Sequence, residues 1–313
     1  MDTFALAPLD HAYPEIQHRL WAHWTGADST GVHVIKQKED LDFAVKLTHD
    51  EHWYYTHLEI GRMLELDPQG SFIFEDRGQR LGFITTVTYG RTGVIGHLIV
   101  AKDARRRKIG ETLLKEAMAY LDGKGVETMM LYASGDGQKL YSRHGFTVRQ
   151  NALVLHTRLD RTLLQSSKQR CEPMTSRDLR AVIEMDSELF QDDRSKIMKI
   201  LFRDYPRGAF KLERDGRLVG FIMGRPDHVG YDLGPWACSS NDPRDAEALF
   251  ESLLPVLGEG VLYIGTFPRN EHAVRIFTRI PKIFELPVPL MIKGKDRYPG
   301  SDRVYAVAAM ELG

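Results

Sequence analysis

Residues 100–114 of the chain read VAKDARRRKIGETLL, and this stretch decides the fold. It places four cations in a row, at residues 105–108, between an apolar segment that ends at Val100 and an amphipathic segment that begins at Ile109. The first turn of a helix leaves backbone N–H groups unpaired and carries the positive end of the helix dipole, so it binds phosphate well. Residues 100–114, here called the seam, therefore indicate an anion site. A solvated helix start and a nonspecific nucleic-acid patch are the alternatives.

The composition of the chain limits what that anion site can belong to. The 313 residues are enough for two domains, and 42% apolar with 27% charged residues is ordinary for a globular protein. Lys plus Arg (42) nearly balance Asp plus Glu (43), which gives a net charge of -1. A protein that binds nucleic acid or a membrane surface as a whole is usually more basic, so we expect neither as a partner.

Cysteine content and the N-terminus bear on the compartment. The two cysteines, Cys171 and Cys238, indicate neither a disulfide framework nor a metal cluster, so we expect a cytoplasmic protein with no bound metal. No apolar run approaches the roughly 20 residues that a membrane span needs. Residues 1–31 lack the basic region of a secretory signal, and we interpret them as an N-terminal extension.

The hydrophobic pattern predicts an α+β fold of layered α/β type, with a mixed, mostly antiparallel sheet flanked by helices. Residues 31–53 predict a short strand and a helix, and residues 56–66 predict a second helix. Two strands joined at residues 76–78 follow, and then a strand that ends at Val100. The next helix carries its apolar residues at helical spacing: Ile109, Leu113, Leu114, Ala117, Met118 and Leu121.

The order of elements starts again in the second half of the chain. RLGFI at 80–84 has a counterpart in RLVGFI at 217–222, which aligns Gly82 with Gly220. LYSRHGF at 140–146 has one in IFTRIPKIF at 276–284, which aligns Tyr141 with Phe277. The offset along the chain is nearly the same for both matches, and two such matches indicate a duplicated fold better than either would alone.

The seam resembles the acetyl-coenzyme A signature of the GNAT superfamily of N-acetyltransferases, V-x-P-x-x-R-x-x-G-x-G/A-x-x-L-L. The matching positions are Val100, Arg105, Gly110, Leu113 and Leu114. Two positions depart from the signature: Lys102 stands where proline is usual, and Lys108 stands where the first loop glycine is usual. Lys108 must therefore adopt a backbone conformation that glycine takes more easily.

Two further stretches extend the resemblance along the chain. LYASGDGQKLYSRHGF at 131–146 resembles the later GNAT motif, which ends L-Y-x-x-x-G-F. LGPWACSS at 233–240 and PRNEHAVRIF at 268–277 resemble the YitH/HolE-type acetyltransferase domain that follows a GNAT domain in tandem proteins. The resemblance implies two GNAT-like domains, a catalytic GNAT domain at 32–158 and a second, degenerate domain at 173–313. An N-terminal extension at 1–31 precedes the first domain, and a linker at 159–172 connects the two.

The resemblance also implies acetyl-CoA as a cosubstrate, inserted between two strands that separate. Backbone groups of Leu98, Ile99 and Val100 are expected to bond its pantetheine arm and to polarise the thioester. The loop that follows is expected to cradle the pyrophosphate, with Arg105, Arg106, Arg107, Lys108, Ile109, Gly110 and Glu111 as its binding residues.

The implied reaction is acetyl transfer to a small-molecule or protein amine, by direct attack in a ternary complex. Tyr141 takes the position of the general acid that protonates the leaving thiolate. His97 has the chemistry of a general base, with a structural histidine and a water chain to solvent as the alternatives. Trp53 and Tyr54, between the first two helices, are expected to line the acceptor pocket, with the alternative that they simply cap the core.

The second half lacks the residues that this chemistry needs, so we expect it not to catalyse acetyl transfer. No R-x-x-G-x-G follows Cys238, residues 241–243 indicate an ordinary helix start, and Phe277 replaces the tyrosine and cannot donate a proton. Trp236 and Asn270 are candidates to shape the acceptor site, with core packing as the alternative for Trp236. For the whole chain, a non-catalytic acyl-CoA-binding or sensor protein of the same fold is the alternative function.

Overall fold

The computed structural model describes six stretches of the chain: residues 30–160, 163, 171–228, 230–240, 242–297 and 302–313. The predicted N-terminal extension lies almost wholly outside these stretches, and most of the predicted linker does. No helix within them is long and apolar enough to cross a membrane.

The helices of the described stretches are α1 Lys38–Asp50, α2 His57–Leu66, α3 Ile109–Gly123, α4 Gln138–Arg143, α5 Leu179–Phe190, α6 Ser195–Asp204, α7 Pro243–Leu253 and α8 Glu271–Thr278. The strands are β1 Gly31–Val34, β2 Ser71–Asp76, β3 Gln79–Tyr89, β4 Thr92–Val100, β5 Thr128–Tyr132, β6 Thr147–Leu159, β7 Glu172–Pro173, β8 Ala209–Arg214, β9 Arg217–Asp227, β10 Gly230–Cys238, β11 Gly260–Thr266, β12 Lys282–Gly294 and β13 Val304–Ala306. Short 3-10 turns occupy residues 102–104, 206–208 and 254–256.

Side chains at the N-termini of α1 and α2 set where these helices begin. Thr56 caps α2 as predicted: its Oγ1 accepts the Glu59 N–H at 3.3 Å, and Glu59 Oε2 accepts the Thr56 N–H at 2.8 Å. At α1 the buried Asp40 accepts the N–H groups of Lys36 and Gln37, both at 3.1 Å. These bonds satisfy donors that the first turn of a helix otherwise leaves unpaired.

By its contacts the chain forms two compact units, one of Met1–Thr85 with His97–Ala119 and one of Thr86–Gly96 with Tyr120–Gly313. In the first unit β1 pairs antiparallel with β2, and β2 pairs antiparallel with β3. One apolar core joins residues of α1, α2, β2, β3 and β4 with the residue after β1: Ile35, Ala44, Val45, Leu47, Ile60, Leu64, Ile73, Phe83 and Ile99.

The predicted hairpin between β2 and β3 is confirmed. The register of the two strands ends at the pair Asp76 and Gln79. The two residues between them, Arg77 and Gly78, have positive φ values of 51° and 76°. Positive φ at both central residues is the type I′ pattern, whose twist matches that of the strands it joins.

In the second unit the strands run in the order β4 (its first residues), β5, β12, β6, β11, β10, β9, β8 and β7. β12, from the second half of the sequence, lies between β5 and β6 and is antiparallel to both. β6, from the first half, lies between β12 and β11. The division at 32–158 and 173–313 rests on the sequence repeat and stays a prediction. The contacts divide the chain elsewhere, because each half of the sequence places its last long strand beside strands of the other half.

Three strands repeat at the spacing that separates Gly82 from Gly220 in the sequence. β8, β9 and β10 have the same lengths as β2, β3 and β4, and they begin and end at the matching positions of the repeat. The register repeats as well, since Ser71 pairs with Thr85 and Ala209 pairs with Met223. β4 with β5 and β10 with β11 are parallel pairs, while the other registers described are antiparallel. The sheet is thus mixed and mostly antiparallel, as predicted.

A matched pair of glycines lets a helix approach the sheet in both halves. A Cβ on Gly82 would lie 2.8 Å from the backbone oxygen of Ile99 and 3.2 Å from Leu113 on α3. A Cβ on Gly220, its counterpart in the repeat, would lie 3.0 Å from the backbone oxygen of Ala237. The glycine that marks the repeat in the sequence therefore has one packing role in both places.

Candidate functional site

The cationic seam folds into a loop that ends in the first turn of α3. Arg106 and Lys108 both lie in the left-handed region, with φ values of 66° and 63°. Lys108 thus takes the conformation that the signature gives to glycine, as the sequence predicts. Left-handed residues that alternate with others turn successive N–H groups toward one concave side, which favours an anion. The Lys108 carbonyl accepts the Thr112 N–H at 3.0 Å, so the hydrogen-bond ladder of α3 starts beside this loop.

Two of the four cations in the loop are held by carboxylates of the first unit. Arg105 Nη2 donates to Glu51 Oε1 at 2.6 Å, and its Nε donates to the Val100 carbonyl at 3.1 Å. Arg107 Nη2 donates to Asp76 Oδ2 at 2.9 Å. These two ion pairs connect the loop to Glu51 at the end of α1 and to Asp76 at the hairpin.

The other two cations, Arg106 and Lys108, are exposed and have no ion-pair partner within the described stretches. The sequence suggests all four cations for the anion, and the structure divides them into two that brace the loop and two that are available. Exposed cations beside a helix N-terminus attract a phosphate strongly, since the charges and the unpaired N–H groups act together.

Beside the loop, the end of β4 has an edge that β5 does not pair within the described stretches. The Ala101 N–H donates to the Leu81 carbonyl at 2.8 Å, so this backbone position faces β3. Backbone groups alternate between the two edges of a strand, which turns those of Leu98 and Val100 to the opposite edge. Within the described stretches the β5 register of that edge ends at Ile95. The β4 edge can therefore hydrogen-bond an extended ligand.

The remaining predicted binding residues can contribute only backbone groups. Ile99 and Ile109 bury their side chains in the interior. Gly110 has none, and the Glu111 carboxylate pairs with Lys115 Nζ at 2.8 Å. A ligand at the loop would accordingly meet N–H groups at these positions, in keeping with their place in the first turn of α3.

His97 is buried on β4 with a left-handed φ of 48°. Its Nδ1 and the Thr85 hydroxyl lie 2.9 Å apart, and its ring contacts Phe83 and Tyr55 at centroid distances of 5.9 and 4.4 Å. Burial lowers the pKa of His97 to about 3. So weak a base is poorly suited to take a proton from an amine.

The loop between α1 and α2 carries the exposed aromatic residues of the first unit. Trp53 and Tyr54 expose 44% and 41% of their surface. The Tyr54 hydroxyl lies 3.0 Å from His52 Nδ1, and Lys102 Nζ donates to the Asp50 carbonyl at 2.8 Å. The second bond ties the start of the aromatic loop to the 3-10 turn that precedes the cationic loop.

Tyr141 lies on α4, in the second unit, and is buried. Its ring covers the backbone of Gly137, where a Cβ would lie 2.7 Å from the ring, and meets the ring of Phe146 edge-on at 6.1 Å. Burial raises the pKa of Tyr141 to about 12. The phenol therefore keeps its proton at neutral pH.

The second half has an ordinary helix start where the first half has the cationic loop. Asp242 caps α7 by accepting the Arg244 N–H at 3.0 Å, and Pro243 is the first helical residue. Asn241 lies outside the described residues. Phe277, at the position of the tyrosine, is buried in the core and has no acidic proton.

Trp236 and Asn270 are structural residues of the second half. Trp236 is fully buried and stacks on Phe250 and Tyr305, with centroid distances of 5.6 and 4.7 Å. This confirms core packing for Trp236. Asn270 caps α8, and its Nδ2 donates to the Val304 carbonyl of β13 at 3.0 Å.

Sequence reasoning missed the carboxylates that brace the loop and the whole of β13. Glu51 lies 54 residues from Arg105, and Asp76 lies 31 residues from Arg107. Pairs so distant leave no local pattern in a single sequence. β13 is three residues long and has no periodicity to detect.

Comparisons with known proteins agree with this architecture. Models of the acetyltransferase (GNAT) domain match residues 67–148 and 182–306. A mycothiol acetyltransferase of Streptomyces coelicolor is 30% identical over 96 residues, which are 29% of this chain and 31% of that protein. The match thus spans about a third of the length of this curated relative.

Solved structures share the fold at low sequence identity. A putative acetyltransferase from Pyrococcus horikoshii matches with a TM-score of 0.73 at 20% identity, over 93% of this chain and 99% of that one. A tandem GNAT protein from the clavulanic acid biosynthesis pathway matches with a TM-score of 0.58 at 12% identity, over 85% and 98%. With the two domain matches, the duplicated strands and the loop at the start of α3, the chain belongs to the GNAT acetyltransferases and carries two such domains in tandem.

Proposed function

We propose that the chain is an N-acetyltransferase, which transfers an acetyl group from acetyl-CoA to an amine by direct attack in a ternary complex. The observation that carries this proposal is the loop at residues 105–108, with two left-handed residues, two available cations and the first turn of α3 behind it. Among the described residues at its own helix start, the second half has no left-handed residue, and its cation Arg244 is paired with Asp242, so the chemistry is proposed for the first half.

Acetyl-CoA, when bound, supplies an activated acetyl group as a thioester. Arg106, Lys108 and the N–H groups that lead into α3 would hold its diphosphate by charge and hydrogen bonds. The backbone of Leu98 and Val100 would bond its extended arm along the β4 edge. The residues present fit the group, because a diphosphate needs a concave cluster of donors and an extended amide arm needs a strand edge.

Among the side chains, Tyr141 is the one for which proton transfer is proposed. A buried phenol whose pKa is raised to about 12 stays protonated and can pass its proton to the departing sulfur. The amine has to lose a proton before it attacks, and we assign that step to solvent water, since the pKa of His97 is too low for the task. His97 is then a structural residue of β4.

The acceptor is proposed as an amine held near the aromatic loop. Trp53 and Tyr54 present exposed ring faces, which attract an ammonium group or cover an apolar acceptor. The curated relatives are named as acetyltransferases of mycothiol. Since only about a third of their length is matched, we propose the acceptor at the level of its chemical class.

Two measurements test the proposal on the purified chain. Calorimetry should detect coenzyme A binding, and thiol release in a panel of amines with acetyl-CoA should identify acceptors. Arg106→Ala and Lys108→Ala should each weaken coenzyme A binding by roughly tenfold. Arg244→Ala, at the matching helix start of the second half, is the control and should leave binding unchanged.

Tyr141→Phe separates an enzyme from a sensor protein of the same fold. We expect kcat to fall by roughly a hundredfold or more while coenzyme A affinity stays the same, since the phenol acts on the leaving group. Full turnover in this variant would remove Tyr141 from the mechanism. Binding of acetyl-CoA with no thiol release for any amine would favour the non-catalytic alternative.

A further inference from the structure

Each half pairs two parallel strands over four residues, and the halves differ beyond the end of that pairing. β4 pairs in parallel with β5 over four residues, starting at Thr92 and Thr128. β10 pairs in parallel with β11 over four residues, starting at Gly230 and Val261. Thr92 and Gly230 are the first residues of β4 and β10 and occupy matching positions of the duplication. In the first half, β4 then runs on with its edge unpaired by β5.

In the second half, another segment of the chain lies between β10 and β11 where their parallel pairing ends, after Leu233 and Ile264. The segment Arg303–Val307, here called the plug segment, pairs antiparallel with β10 at Trp236 and Ala237. On that side the Cys238 N–H donates to the Arg303 carbonyl at 3.0 Å. On its other side the Val307 N–H donates to the Gly265 carbonyl of β11 at 2.9 Å. The plug segment is hydrogen-bonded to both strands.

Side chains from three elements hold the plug segment in place. The Thr266 hydroxyl donates to the Tyr305 carbonyl at 2.7 Å, and Asn270 Nδ2 donates to the Val304 carbonyl at 3.0 Å. Arg225 Nη2 donates to the Ala308 carbonyl, just beyond the segment, at 3.0 Å. The Tyr305 ring is itself buried in the core of the second half.

Glycines on both neighbouring strands make room for the plug segment. A Cβ on Gly234 of β10 would clash with the Val307 carbonyl oxygen. A Cβ on Gly265 of β11 would clash with the Val307 side chain, and also with Met310. Two glycines that face one segment from opposite sides form a cradle shaped for a backbone.

We propose that the junction of β10 and β11 is a strand-accepting site whose permanent ligand is the plug segment of the same chain. The second half is then closed to acyl-CoA by its own backbone, and the chain has one coenzyme A site rather than two. The position of that one site in the first half rests on the proposed function. The closure of the second half rests only on the hydrogen bonds of the plug segment and on Gly234 and Gly265, the glycines of β10 and β11 that face it.

Hydrogen–deuterium exchange of the full chain tests whether the plug segment stays in place. The amides of Cys238 and Val307 report on its two edges. We expect both to exchange slowly, at rates that saturating coenzyme A does not change. Thr266→Val removes the hydroxyl bond to Tyr305 and should speed both exchange rates by about tenfold, a loss of about 1.4 kcal/mol in local stability.

Thr157→Val is the matched control, because the Thr157 hydroxyl is also buried but has no hydrogen-bond partner among the described residues. It should leave both exchange rates unchanged. Exchange that accelerates when coenzyme A is added would show a displaceable segment and would overturn the proposal. Equal rates in the Thr266→Val and Thr157→Val variants would overturn it as well.

Calorimetry of the double variant Arg106→Glu with Lys108→Glu counts any site outside the first half. We expect no coenzyme A binding in this variant and one equivalent per chain in the unmodified protein. One equivalent bound by the double variant would overturn the closure of the second half, while turnover of the unmodified protein still supported the proposed function. No binding by the unmodified protein would defeat the proposed function, and the exchange rates would still decide on the plug segment.

Discussion

Lys108 holds a backbone conformation that costs a residue with a Cβ more than it costs glycine. Its φ is 63°, and that of Arg106 two positions earlier is 66°. Left-handed backbone destabilises such a residue by about 1 kcal/mol relative to glycine. The lysine side chain places a positive charge beside the first turn of α3, where that charge favours the binding of an anion. The departure from the signature thus exchanges local stability for charge.

Lys108→Gly should therefore raise stability and weaken ligand binding together. We expect the free energy of unfolding to rise by about 1 kcal/mol as the strain is relieved, and coenzyme A affinity to fall by roughly tenfold as the charge is lost. Urea unfolding and calorimetry measure the two quantities. Asp215→Gly, at a φ of 51° in the turn between β8 and β9, is the control that should change stability alone. Equal affinity in both variants would contradict a role for the lysine charge.

His97 should make stability depend on pH below neutrality. Its pKa is about 3 in the folded chain, against an ordinary value of 6.5, because burial disfavours the charged ring. Below pH 6.5 the unfolded chain binds a proton that the folded chain refuses. The contribution of neutral His97 is complete above pH 6.5 and declines by about 1.4 kcal/mol for each pH unit below it.

Urea unfolding between pH 7 and pH 5 checks this slope. Over that range His97 should account for about 2 kcal/mol of lost stability. Asparagine tolerates the left-handed backbone and does not titrate. The stability of His97→Asn should therefore fall less steeply with decreasing pH, by the slope that corresponds to the uptake of close to one proton. Parallel profiles for the two proteins would show that the imidazole is not buried as described.

At the scale of elements, the duplicated strands depend on close approach between helix and sheet. Gly82 on β3 lies under α3, and a Cβ there would sit 2.8 Å from the Ile99 backbone oxygen. A backbone atom cannot yield as a flexible side chain does. β3 and the neighbouring β4, which carries Ile99, would have to separate, which loses packing along their contact.

Gly82→Ala should accordingly destabilise the chain by about 1–3 kcal/mol, the usual range for overpacking. Gly61→Ala is the matched control: it adds the same methyl group inside α2, where a Cβ would meet nothing within 4 Å. Alanine in a helix is favoured over glycine, so this control should gain about 0.5–1 kcal/mol. Urea unfolding of the two variants should give opposite signs, and equal signs would refute the packing role of Gly82.

At the scale of the whole molecule, the two halves of the sequence exchange strands. β12 takes its place between β5 and β6, and β6 takes its place between β12 and β11. A sheet that lacks β12 would leave hydrogen-bond edges of β5 and β6 open. Neither half of the sequence completes its own sheet.

A fragment of residues 30–160 should therefore fail to fold alone, although it contains the whole proposed catalytic motif set. We expect no cooperative thermal transition by circular dichroism and a tendency to aggregate through the open strand edges. Coexpression with residues 171–313 supplies β12 and should restore a cooperative transition. A sharp transition of the first fragment by itself would contradict the strand exchange.

Much of the fold and part of the site could be predicted from the sequence. The repeat that aligns Gly82 with Gly220, the Thr56 cap, the hairpin at 76–78 and the left-handed Lys108 are all local patterns, and each is confirmed. The pairing of Arg105 with Glu51 could not be predicted, because it joins residues far apart along the chain.

The sequence by itself determined the GNAT motifs, the duplication and the lack of a cationic loop in the second half. Each of these is recognised from short stretches of consecutive residues. Only the tertiary structure decided which cations remain available, that His97 is buried as a weak base, and that the plug segment fills the junction of β10 and β11. Burial, ion pairing and strand exchange depend on which distant segments come together. No local pattern carries that information, because many sequences with the same periodicity can meet different partners in space.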